Sequence, residues 1–229
     1  MRMIYQTRTY DFGQESSAQT PKRICLHRQG NLGAKALNAL DWGKRTGAFT
    51  IHSYVSDAVC YDAIMPDRHA FHVLAAGVAA QKGYRTTGAY GLRGDYDSIG
   101  IETEDVAGGA PGQAYSLTQE TRITLLLRTA AYLRQFGLSP DAVDEHATYD
   151  PTNRPDDLGD ALHIPDFRED LRDLMAGRTP WRTVGQYATG GPAPLSWKPA
   201  GLDVVSIRLE AGAMMASAQR ILDILKEWS

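Results

Sequence analysis

The segment TQETRITLLLRTAAYLRQFG, residues 118–137, does most to narrow what this chain can fold into. Ile123, Leu126, Leu127, Ala130 and Leu133 recur at helical spacing and form one apolar stripe. Ser116 or Thr118 can cap the start, and Gly137 can end it. A helix with an apolar stripe needs a surface to cover, and four short apolar segments can supply one. Residues 23–27 (RICLH), 49–56, 59–65 and 98–103 (SIGIET) read as strands, the middle two joined as a hairpin through Ser56-Asp57-Ala58. Further helices are expected over 33–44, where Leu32, Ala36, Leu37 and Leu40 share a spacing, and over 167–175. Strands interspersed with helices argue for an α/β or α+β chain built on one sheet; the expected form is α/β, a single mixed β-sheet flanked by helices.

At 229 residues there is room for one sizeable domain and a small appendage. Residues 1–176 read as the domain and 177–229 as a C-terminal extension. The extension begins with a stretch over 177–201 holding four prolines and five glycines, which reads as a linker. An amphipathic helix over 206–228 follows, with Met214, Ala218, Ile221, Leu222, Leu225 and Trp228 on one stripe. A net charge of −3 lacks the basic footprint of a nucleic-acid binder, so no nucleic-acid partner is expected. No window of about 18 apolar residues occurs, and the N-terminus carries no signal-length apolar stretch. The expectation is therefore synthesis in the cytoplasm with no membrane segment. Cys25 and Cys60 sit in apolar runs without C-x-x-C spacing and read as packing residues in a reducing compartment.

Chemistry concentrates around the histidines. His27 stands at the end of an apolar strand, and His146 opens HATYDPTNRPDD, with Arg154 eight residues on and Asp156 ten on. From 141 to 173 there are eleven Asp or Glu against three Arg, which reads as an irregular functional loop followed by a short helix. Two imidazoles and a carboxylate are a ligand set for catalytic zinc, leaving a fourth position for water. His52 reads as a packing or supporting residue, and His69 and His163 as surface residues.

Five segments in order resemble the type 2 N-acetylmuramoyl-L-alanine amidases, the fold of phage lysozyme-type amidases and peptidoglycan recognition proteins. RICLH is similar to the family's first strand, ending in a ligand histidine. TIHSYVSDAVCYDAIMP resembles its strand pair, with His52 at the strand histidine and Pro66 at the turn proline. DRHAFHV looks like the aromatic-His pair that follows, at Phe71 and His72. DSIGIETE is close to the family's N-S-I-G-I-E strand, and HATYDPTNRPD is similar to the branch with His, His and Asp ligands.

The resemblance spans roughly residues 23–172. It implies a Zn2+ held by His27, His146 and Asp156, with Asp157 the alternative carboxylate because Asp157-Leu158-Gly159 replaces the family's P-G. It implies Glu102 as general base, since Ile51 stands where one branch has tyrosine. Arg154, in place of the family's lysine, would stabilise the oxyanion, and His72 would contact substrate. The expected activity is hydrolysis of the amide between muramic acid and L-alanine of bacterial peptidoglycan, most simply by a phage endolysin released through a holin-permeabilised membrane. A cytoplasmic muropeptide-recycling amidase and a non-catalytic peptidoglycan-binding protein are the alternatives. Oligomeric state is left open.

Overall fold

The computed structural model describes residues 6–11, 17–29, 36–46, 50–70, 72–73, 97–104, 117–149, 157–158, 161–178 and 180. Apart from residues 177, 178 and 180, the expected linker lies outside them, as does the expected amphipathic helix.

Six strands form one sheet: β1 (Gln6–Thr9), β2 (Arg23–Arg28), β3 (Ser53–Ser56), β4 (Val59–Asp62), β5 (Ser98–Thr103) and β6 (Val143–Glu145), in the order β1-β4-β3-β5-β2-β6. The pairs β6–β2, β2–β5, β5–β3 and β4–β1 are parallel, and β3–β4 is antiparallel. The sheet is therefore mixed, as the segment pattern predicts. The β3–β4 turn is the expected Asp57-Ala58 hairpin, and Asp57 takes a left-handed φ of 48°. An aspartate tolerates that region better than most residues because its short side chain bonds locally. Its side chain also makes a tertiary contact, Asp57 Oδ1 accepting from the Thr118 hydroxyl at 2.9 Å.

The helices are α1 (Ala36–Thr46), α2 (Gln119–Phe136), a single turn α3 (His146–Tyr149) and α4 (Ile164–Met175). One sheet face presents Ile24, Leu26, Val55, Ile99, Ile101 and Val143 to α2 and α4, giving the main core. Burying each such side chain contributes about 1.5–3 kcal/mol. The predicted stripe of α2 is buried as expected, but so are Leu125 and Tyr132 on its other side. The Tyr132 hydroxyl meets Ser53 Oγ at 2.6 Å, and Arg128 pairs with Asp62 at 2.6 Å. Burial thus extends past the stripe because β3 and β4 offer this helix polar partners as well as apolar ones.

The opposite face carries α1, where Ala39 and Leu40 pack with Ile51, Tyr54, Ile64 and Ala70. Leu37, placed on the buried stripe by the sequence reading, is 44% exposed. At about 100° per residue, Leu37 sits at the margin of a face centred on Ala39, Leu40 and Gly43. His69, expected at the surface, is buried, and its backbone N–H donates to Ser17 O at 2.8 Å. His163 is exposed as expected, 3.2 Å from Asp166.

The described part of the acidic stretch is regular structure at its start. It contains the 3-10 turn Pro140–Ala142, then β6, then α3. Arg168 pairs with Asp144 at 2.7 Å, and Arg172 pairs with Asp141. Two of its three arginines therefore neutralise acids that would otherwise repel. Among the described residues no helix is long and apolar enough to cross a membrane.

Candidate metal centre

In parallel α/β sheets, the carboxyl ends of the strands are where side chains from separate segments converge. His27 lies next to the last residue of β2, Glu102 next to the last of β5, and His146 directly after β6. Register pairs His27 with Glu102 and Leu26 with Glu145. Paired residues on adjacent strands project to the same face. His27, Glu102, Cys25 and Gly100 therefore share the face opposite the main core.

Three donors meet there. His27 Nδ1 and His146 Nδ1 are 3.0 Å apart, and Asp157 Oδ2 is 3.9 Å from His146 Nδ1. All three donor atoms lie within 4.8 Å of one another and all are largely buried. Asp157 is held by the end of β2, where the Arg28 N–H donates to its Oδ2 at 3.0 Å. Tetrahedral zinc with Zn–N near 2.0–2.1 Å places neighbouring ligand atoms about 3.3 Å apart. Two inward-facing imidazole nitrogens and one carboxylate match that spacing and that donor chemistry. Their lone pairs would repel without a shared cation or proton between them, so the residues fit a zinc ion.

The far side of His27 is equally ordered. Its Nε2 lies 2.9 Å from His72 Nδ1, and His72 Nε2 lies 3.3 Å from Ser98 O and 3.2 Å from Ser98 Oγ. Burial, with smaller contributions from neighbouring histidines, pushes the His72 imidazole well below its usual range. His52 is fully buried beside it, the ring centroids 5.5 Å apart. Its Nδ1 accepts from the Gly100 N–H at 2.9 Å and its Nε2 donates to Arg68 O at 2.8 Å. Burial lowers its pKa to about 4, the Arg68 carbonyl only partly offsetting that effect. The packing or supporting role expected for His52 agrees with these contacts.

Of the six residues singled out from sequence, the structure brings His27, His146, Glu102 and His72 onto one region of the sheet. Arg154 and Asp156 lie outside the described residues, as does Phe71. Asp157 is the carboxylate placed against His146. Glu104, just past the end of β5, is buried and bonded by the Ser56 hydroxyl, so the Glu102–Glu104 segment is not a simple solvent-facing alternation. Sequence reasoning gave no part to Ser98 or Gly100, although the glycine inside SIGIE is a signal of close approach to a strand.

No protein-family model and no curated protein matches the sequence. Solved structures share its fold. A selenomethionine AmpD derivative aligns with a TM-score of 0.54 at 18% identity, over 72% of this chain and 94% of that one. The hydrolase AmiA of Staphylococcus aureus, in complex with its ligand, gives 0.52 at 14% identity, over 78% and 89%. A mutant endolysin from Bacillus subtilis gives 0.52 at 16% identity, over 72% and 98%. The architecture is the type 2 amidase fold that the five segments resemble.

Proposed function

We propose that this chain is a zinc-dependent N-acetylmuramoyl-L-alanine amidase acting on bacterial peptidoglycan. The observation that carries the reading is the convergence of His27 Nδ1, His146 Nδ1 and the Asp157 carboxylate at the carboxyl ends of parallel strands. Those three residues would hold the ion. When bound, zinc supplies a Lewis acid and a water acidified to a pKa of about 7.

The chain's own groups do the rest. Glu102, in register with His27 on the same sheet face, serves as general base and then returns the proton to the leaving amine nitrogen. Arg154 supplies a fixed positive charge for the oxyanion, a contribution of about 3 kcal/mol for a donor of this kind. The bond cleaved is the amide between the lactyl carbonyl of muramic acid and L-alanine. We read the biological setting as lysis of the intact wall by a phage endolysin, which the fold shared with an endolysin supports.

The test is digestion of purified peptidoglycan by the zinc-loaded full chain, followed by mass spectrometry of the products. Free N-terminal alanine and intact lactyl-bearing glycan are expected, with insoluble sacculi clearing as readily as soluble muropeptides are cut. Cleavage of soluble muropeptides alone would place the chain with recycling amidases. Tight binding of sacculi without any cleavage would make it a peptidoglycan-binding protein.

A further inference from the structure

The proposed chemistry leaves unused the contacts on the far side of His27, from its Nε2 through His72 to Ser98. Ser98 O can only accept, and the Ser98 hydroxyl, 3.2 Å from the same nitrogen, can accept as well, so a proton on His72 Nε2 satisfies both contacts. In the neutral ring the other nitrogen, Nδ1, then has a lone pair and no hydrogen. That lone pair faces His27 Nε2 at 2.9 Å, so the His27 proton sits on Nε2. It follows that His27 Nδ1, the atom facing His146, is bare. Ser98, through its carbonyl and hydroxyl together, thus favours one tautomer of a histidine two steps away.

Gly100 completes this arrangement. A Cβ built on it would lie 2.5 Å from His72 Cγ, 2.7 Å from His72 Nδ1 and 2.6 Å from Ile51 Cδ1. Real Cβ atoms do not approach that closely, and the neighbours have little room to give way: one is an imidazole ring and the other the end of a fully buried isoleucine. The His72 ring lies flat enough on β5 to meet His27 only because position 100 has no side chain.

We propose that His72 is a positioning residue, its Nδ1 accepting the His27 Nε2–H so that His27 Nδ1 is aimed bare at the metal, with Gly100 as the floor on which the His72 ring rests. The proposal rests on the reading above that His27 carries the ion. It assigns His72 to the metal side of His27 rather than to substrate. Partners of this kind orient a ligand ring and raise its basicity, and losing one typically weakens metal binding 10–100-fold.

Cobalt is the probe, with the full chain, chelator competition for affinity and visible absorption for geometry. Wild type should bind one Co2+ per chain. His72→Phe keeps the ring size and removes both nitrogens; it should bind one ion 10–100-fold more weakly with a shifted spectrum. His72→Asn retains an acceptor near the Nδ1 position and should stay within about 3-fold of wild type. Gly100→Ala should fall with His72→Phe, because the ring is displaced although its nitrogens remain.

Nitrogen NMR of the metal-free protein adds a readout independent of metal loading. Wild type should show His27 protonated at Nε2, and a His27 ring protonated at Nδ1 would overturn the proposal. Equal cobalt affinity for wild type and His72→Phe would overturn it too, as would a His72→Asn as weak as the phenylalanine variant. Two ions per wild-type chain, one of them lost in Cys25→Ser, would mean that the Cys25–His27–His72 cluster holds a cation instead of a hydrogen bond. Absence of cobalt binding by folded wild type would instead fail the zinc reading itself, a result distinguishable from all of these.

Discussion

His27 and His146 stand 119 residues apart in the chain, yet their Nδ1 atoms lie 3.0 Å apart. Nothing local brings them together. β2 and β6 are neighbours in the sheet, paired in parallel from Ile24↔Val143 to Leu26↔Glu145, and each histidine follows the last of those pairs by one residue. The sheet register therefore sets the distance between the two nitrogens, and the site is as rigid as the two strands that end in it.

The carboxylate that completes this pair can be identified by substitution. Asp157→Asn should weaken zinc binding by more than about 100-fold, beyond the range seen when a mere supporting partner is lost. Asp156→Asn should remain within about 3-fold of wild type on the same scale. Chelator competition on the two purified variants checks this. The opposite ranking would return the ligand to Asp156, the position that the family resemblance implies.

Glu102 shares a face with His27 without joining the three donors. Glu102→Gln should retain zinc at about one ion per chain and lose roughly 10²–10⁴-fold in kcat, the usual range for a general base. Metal analysis beside peptidoglycan turnover separates the two effects. A variant that loses zinc along with activity would make Glu102 part of the metal's support instead.

His52 makes stability depend on pH in a definite direction. The unfolded imidazole takes a proton near 6.5, whereas the buried one resists until about 4. Between those values the unfolded chain holds more protons, so stability falls as pH falls, and the loss levels off below about 4. At about 1.4 kcal/mol per pH unit this amounts to about 3 kcal/mol. Burial depresses His72 as well, which adds loss of the same sign. Urea unfolding of metal-stripped protein at pH 7 and pH 4 should show the drop, and His52→Asn should reduce it by about 3 kcal/mol. Equal drops in the two proteins would refute the assignment.

The end of α2 offers a test of local backbone energetics. Gly137 has φ 64°, and its N–H caps the helix at Arg134 O and Leu133 O. A Cβ there would touch nothing within 4 Å, so Gly137→Ala carries only the left-handed strain. The expected cost is about 1–2 kcal/mol with zinc affinity unchanged, measured by thermal melting and chelator competition.

Much of this molecule is written in local pattern. The α2 stripe, its Thr118 cap and Gly137 stop, the hairpin at Asp57-Ala58 and the SIGIET strand all follow from spacing and turn chemistry, because each depends on residues within one or two turns of itself. Gln6–Thr9 escapes such reading: all four residues are exposed and polar, and only pairing with β4 makes them a strand. Val143–Glu145 escapes it too, since three residues inside an acidic run show no periodicity until β2 lies alongside.

The same division runs through the site. His27 and His146 can be singled out in sequence by their places after a strand and before a turn-rich loop, and Glu102 by its strand. Which carboxylate faces His146, which nitrogen of His27 is bare, and why position 100 must be glycine are decided by tertiary structure alone. Each depends on a contact between residues far apart in sequence: Arg28 with Asp157, His27 with His72, His72 with Gly100. Side-chain identity can name a donor, but the direction of its lone pair is set by whatever the fold places on the other side of the ring.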